Sequence, residues 1–129
     1  MALVSRILVG LIGIMALLGV GPHWFRLQHL PVERGMQALG DIGRANVRAD
    51  VGGLFLAIAL FAFIAAAKQS RTWALAAMLL VGSALVGRFV SLAIDGFGPR
   101  VGAPIAIEAG VVAIFALAYW SWGKKPEGL

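Results

Sequence analysis

The stretch Asn46-Val47-Arg48-Ala49-Asp50-Val51-Gly52-Gly53 passes from polar and charged residues into an apolar run within a few positions. It reads as the mouth of a membrane helix. After Asp50 no charge occurs until Lys68, and the residues from about Ala49 to Ala67 suffice to cross the hydrocarbon core of a bilayer. Asn46 is of a type that caps helices, and Asp50, one turn on, would sit where the helix dipole favours an anion. Arg44 and Arg48 would reach lipid headgroups, and Gly52 and Gly53 would let a helix or a ligand approach the backbone at that level.

The rest of the chain agrees with this beginning. Its 129 residues are 60% hydrophobic and 13% charged, without cysteine, which leaves too little polar surface for a soluble domain. One integral membrane domain over residues 1–129 is expected. Lack of cysteine removes dithiol redox chemistry and thiolate metal sites. The net charge of +5 is scattered between spans and not gathered on one amphipathic face, so anionic lipid is its expected counter-charge, with no nucleic-acid partner.

Three more apolar runs complete an all-α, four-helix membrane bundle, with spans near residues 3–21, 49–67, 73–94 and 101–122. The first is interrupted only by Ser5 and Arg6. A cleaved signal peptide is the competing reading there, but Gly19-Val20-Gly21-Pro22 makes a poor cleavage site. Gly10, Gly13 and Ala16 offer the first span a small face for a neighbouring helix. Between the first two spans, residues 22–45 carry Val32, Met36, Leu39 and Ile42 at helical spacing among Glu33, Gln37 and Asp41, the pattern of an amphipathic interfacial segment, which Gly35, Gly40 and Gly43 weaken. His23 and His29 fall in it. They lack acidic partners at ligand spacing, so interfacial hydrogen bonding is expected of them, with no metal and no cofactor. In the last span Gly102, Ala106 and Gly110 form a small-residue row, and Tyr119, Trp120 and Trp122 read with Trp73 as an aromatic belt.

Two charges lie inside apolar runs. Arg88 precedes Asp95 by roughly 10 Å of helix, and Glu108 follows Gly102 by roughly 9 Å, so in consecutive antiparallel helices the two come out level. An arginine facing lipid would cost about 2.5–3.5 kcal/mol on insertion scales, and pairing with Glu108 is the cheapest remedy. Ser83, Gly87, Ser91 and Asp95 recur every fourth residue and give the third span a small, polar face. Asn46, Arg48, Asp50, Arg88, Ser91, Asp95 and Glu108 are thus the expected polar cluster, walled by the second, third and fourth spans.

Four spans put both ends on one side. Arg6, Lys68, Arg71, Lys124 and Lys125 lie there, and Arg26, Arg34, Arg44, Arg48 and Arg100 opposite, a tie under the positive-inside rule. The lysines favour cytoplasmic termini in a cell inner membrane.

The succession Asn46-Val-Arg48-Ala-Asp50-Val-Gly52-Gly53, an apolar span, Gly87-Arg88 with Ser91 and Asp95-Gly96, then Glu108 in the last span, resembles a group of small bacterial four-span membrane proteins catalogued as domain of unknown function 4345. The likeness covers roughly residues 35 to 120. It implies a compact four-helix membrane protein of bacterial origin and places Arg48, Gly52, Gly53, Arg88, Asp95 and Glu108 among the pattern positions. It implies no activity. Asp50 stands outside the match, and its role rests on the physical reading alone.

Three functions fit these residues. The first is a small membrane binding or accessory protein whose cluster receives a lipid-like or quinone-like amphiphile, or fastens the bundle for a second copy or another membrane protein. The second is an embedded enzyme using Glu108 for proton transfer, and the third a dimeric proton-coupled transporter. No nucleophile, metal or nucleotide motif supports an enzyme, so the first is preferred.

Overall fold

The computed structural model describes residues 1–27 and 40–123. Among them the chain forms four helices long and apolar enough to cross a membrane: α1 (Ala2–Phe25), α2 (Gly40–Lys68), α3 (Arg71–Asp95) and α4 (Gly102–Ser121). No strand occurs among the described residues. The protein is an all-α four-helix bundle with the build of a multi-pass membrane protein.

The first connection differs from expectation at both ends. α1 continues through Pro22 to Phe25 and does not stop near residue 21. A proline removes a single N–H, a loss that helices in apolar surroundings tolerate where nearby groups compensate. The carbonyl that loses its donor is that of Leu18; beyond the proline the helix closes regularly, the Arg26 N–H donating to the Pro22 carbonyl at 3.1 Å, and the His23 ring Nδ1 lies 2.7 Å from the Gly19 carbonyl. α2 starts at Gly40, well before Ala49. The φ of +65° at Gly40 falls in the left-handed region, which glycine enters without a Cβ clash. The expected interfacial segment is therefore divided: its first residues end α1, its last ones begin α2, and residues 28–39, His29 included, lie outside the described residues.

The helices form two hairpins, α1/α2 and α3/α4, closed into a ring by α2 against α3 and α4 against α1. Their shared core is Val9, Ile12, Ala62, Ala65, Ala74, Ala77, Val81, Phe115, Ala118 and Trp122, all towards the end that holds the chain termini. Alanines allow close helix approach there, and Phe115 and Trp122 fill the space between. Polar latches close the same end. The Ser5 and Ser121 hydroxyls lie 2.7 Å apart, the Trp122 indole N–H donates to the Ala2 carbonyl at 3.3 Å, and Arg71 donates to the Tyr119 carbonyl at 2.9 Å. Trp122 thus belongs to the core, and of the expected belt Trp120 is the exposed member.

Towards the opposite end the hairpins part. α1 stays buried as far as His23 because α2 follows it, whereas no described residue of α3 after Val81, or of α4 before Phe115, is buried. Ser83, Gly87, Ser91, Ala106 and Gly110 are exposed, so the small-residue faces expected on the third and fourth spans are not packed inside the bundle.

Close packing of α1 on α2 uses Gly13 and Gly19. A Cβ at Gly13 would meet the Phe63 ring at 2.8 Å and one at Gly19 the Phe55 ring at 2.9 Å, while at Gly10 nothing lies within 4 Å. Of the face expected from Gly10, Gly13 and Ala16, Gly13 and Ala16 are buried and Gly10 is not. Gly13→Ala is expected to cost about 1 kcal/mol through overpacking, and Gly10→Ala to be neutral or slightly stabilising through helix propensity. Thermal unfolding of both variants in the same detergent checks the difference.

Candidate functional site

The inner faces of α3 and α4 carry apolar residues at one end and charges at the other. Arg88 follows buried Val81 by about two turns, and Glu108 precedes buried Phe115 by the same interval, so both continue the stripes that form the core. A dry, close-packed interior cannot hold them cheaply, which gives a physical reason for the hairpins to part at this level. The Arg88 Nε–H donates to Glu108 Oε2 at 2.8 Å, and the side chains are 42% and 19% exposed. The level pairing expected from helix arithmetic is formed. Glu108 is the only acceptor among the described residues that the structure places on Arg88, and a guanidinium has further N–H groups to satisfy.

One turn nearer the helix end, the Ser91 hydroxyl donates to Asp95 Oδ2 at 3.2 Å, both residues being exposed. This bond within α3 needs no other helix. Gly87, beside Arg88, has nothing within 4 Å of where a Cβ would stand, which leaves the helix open there.

Arg48 is not part of that pair. α2 widens into a π-type turn over Val47–Gly52, and the Gly53 N–H reaches back to the carbonyls of both Ala49 and Arg48. The turn packs chiefly on α1. There the Trp24 indole N–H donates to the Arg48 carbonyl at 3.1 Å, and the Arg48 Nε–H donates to the Trp24 carbonyl at 2.9 Å. Arg48 thereby covers one of the carbonyls left open at the C-terminus of α1, where the helix dipole also favours a cation. The indole lies directly over Gly52, so close that a Cβ there would run into its Cδ1 and Nε1. Beneath it His23 is 4% exposed and stacks on Phe55 with centroids 5.2 Å apart. π-type turns concentrate at functional sites in helices, because they turn side chains and carbonyls out of the regular register.

The expected cluster is therefore two stations, one on each hairpin, and two of its residues change role. Asn46 has helical dihedrals (φ −63°, ψ −45°) and makes no side-chain capping bond, because α2 begins a turn and a half earlier. Asp50 is exposed in the middle of α2, and it is Asp41 that occupies the first turn, paired with Arg44. Gly53 faces open space, so of the two adjacent glycines Gly52 alone receives a neighbour. Trp24, His23 and Phe55 were not anticipated as a group. The signal available was a tryptophan two residues after a proline at the end of an apolar run, which marks an interface but names no partner.

No protein-family model, no curated protein and no solved structure matches this chain.

Proposed function

We propose that the protein is a small membrane binding protein, of bacterial inner-membrane type with cytoplasmic termini, that receives an amphiphile between its parted hairpins. The polar head sits on Arg88, and the tail lies along the apolar inner faces of the helices. One observation carries this reading. Arg88 stands on the core-facing stripe of α3, gives its Nε–H to Glu108, and has no other acceptor among the described residues in a part of the bundle left uncovered. In apolar surroundings such donors require an acceptor. Because Glu108 already balances the charge, a head offering carbonyl or similar acceptor oxygens suits the site, as a quinone-like or ester-bearing lipid would. Ser91 and Asp95 line the way in from the near interface. The proton-transfer enzyme and the proton-coupled transporter both need Glu108 to exchange a proton, and its Oε2 is committed to Arg88.

Native mass spectrometry of gently purified protein tests this. The wild type is expected to retain one defined amphiphile, and the double variant Arg88→Leu/Glu108→Leu, which keeps the inner face apolar and the fold intact, is expected to lose it. Equal retention by a folded double variant would overturn the proposal.

A further inference from the structure

The α1/α2 hairpin carries a second arginine in a different electrostatic state. Arg44 is paired with Asp41 and Arg88 with Glu108, whereas the partner of Arg48 is a neutral carbonyl, and no carboxylate among the described residues reaches it. The dipole at the end of α1 offsets part of its charge, and a substantial positive charge remains. Arg48 borders an open groove whose other walls among the described residues are Trp24, Phe25, Ala45, Ala49 and Gly53. Ala45, Ala49 and Gly53 succeed one another at intervals of four along α2, so the floor is a shallow apolar trough roughly 12 Å long at the helical rise. Phe25 walls it with an exposed ring. Trp24 sets the level, since an indole with its N–H bonded and its ring on apolar surface belongs at the boundary between headgroups and chains. Asp50, the nearest acid in sequence, does not line the groove.

We propose that this groove binds an anionic glycerophospholipid, its phosphate on the Arg48 N–H groups not used by Trp24 and the upper part of one acyl chain in the trough beside Phe25. Within the π-type turn the Arg48 carbonyl accepts from the Trp24 indole as well as from the Gly53 N–H, and the indole bond with its reciprocal holds the guanidinium at the rim at its Nε end. The remaining N–H groups are thereby preorganised for a tetrahedral oxyanion. This site differs from the one at Arg88 in hairpin, in charge and in the head it takes: a full anion here, a neutral acceptor there.

The experiment is a lipid titration of the full chain in a neutral detergent, with phosphatidylglycerol and phosphatidylcholine of identical acyl chains, counting singly lipid-bound protein by native mass spectrometry. Wild type is expected to prefer phosphatidylglycerol at least about fivefold. Arg48→Gln is expected to reduce that preference to near unity. Ala49→Leu, which fills the trough and leaves both Trp24–Arg48 hydrogen bonds in place, is expected to lower phosphatidylglycerol binding several-fold with no change in melting temperature. Arg88→Leu/Glu108→Leu is expected to leave the preference as in wild type, so failure at one site is distinguishable from failure at the other. No headgroup preference in the wild type overturns the proposal, as does an undiminished preference in Arg48→Gln or wild-type binding in a folded Ala49→Leu variant.

Discussion

Gly52→Ala destabilises the protein by about 3 kcal/mol, while Gly53→Ala is neutral or raises stability by a few tenths of a kcal/mol. The two glycines are adjacent on one helix and differ only in what faces them. An added methyl at Gly52 enters the Trp24 indole, and at Gly53 it meets nothing within 4 Å. The indole cannot swing aside without cost, because it is tied to Arg48 by hydrogen bonds of 3.1 Å and 2.9 Å running in both directions. Overpacking of this kind costs about 1–3 kcal/mol, and each hydrogen bond lost adds about 0.5–1.5 kcal/mol. Denaturation by a graded anionic detergent, followed by far-ultraviolet circular dichroism, gives both values. A Gly52→Ala protein as stable as Gly53→Ala would mean that the Trp24 indole does not rest on α2 at Gly52.

Glu108→Gln is expected to destabilise by about 2 kcal/mol. The substitution preserves shape and removes the charge opposite Arg88, which then stays inside the bundle without a counter-ion. Removal of one partner from a fully buried pair costs about 3–5 kcal/mol, and the 42% exposure of Arg88 reduces that figure. Replacing both residues by leucine leaves no charge to strand and is expected to restore stability to within about 1 kcal/mol of wild type, since apolar residues of similar volume can replace an internal ion pair without loss. With the single variants Arg88→Leu and Glu108→Leu completing the double-mutant cycle, the coupling is expected to lie well above the roughly 0.5 kcal/mol of independent sites. A double variant no more stable than Glu108→Gln would sink the pair as an energetic unit. The same double variant serves the ligand experiment, because it removes the binding head while keeping the fold.

The sequence by itself determined that the chain is helical, that four of its helices are long and apolar enough to cross a membrane, and that Arg88 and Glu108 come out level. Each comes from local arithmetic. Apolar run length compared with bilayer thickness counts the spans, and a rise of about 1.5 Å per residue in antiparallel helices puts two internal charges at one level. Their place on the core-facing stripes, Arg88 two turns from Val81 and Glu108 two turns from Phe115, came only from the structure, which shows that Val81 and Phe115 are buried. Only the tertiary structure decided that Arg48 belongs to Trp24 and not to Arg88, that Gly52 and Gly13 are packed while Gly53 and Gly10 are not, and that the hairpins part. A pattern of small and apolar residues is periodic, so it offers several equivalent faces, and which one meets a neighbour depends on the rotation of each helix about its axis. That rotation is set by packing between helices. In α2 it is reset at Val47–Gly52, where the π-type turn adds a residue and rotates the remainder of the helix by roughly 100° relative to a regular one.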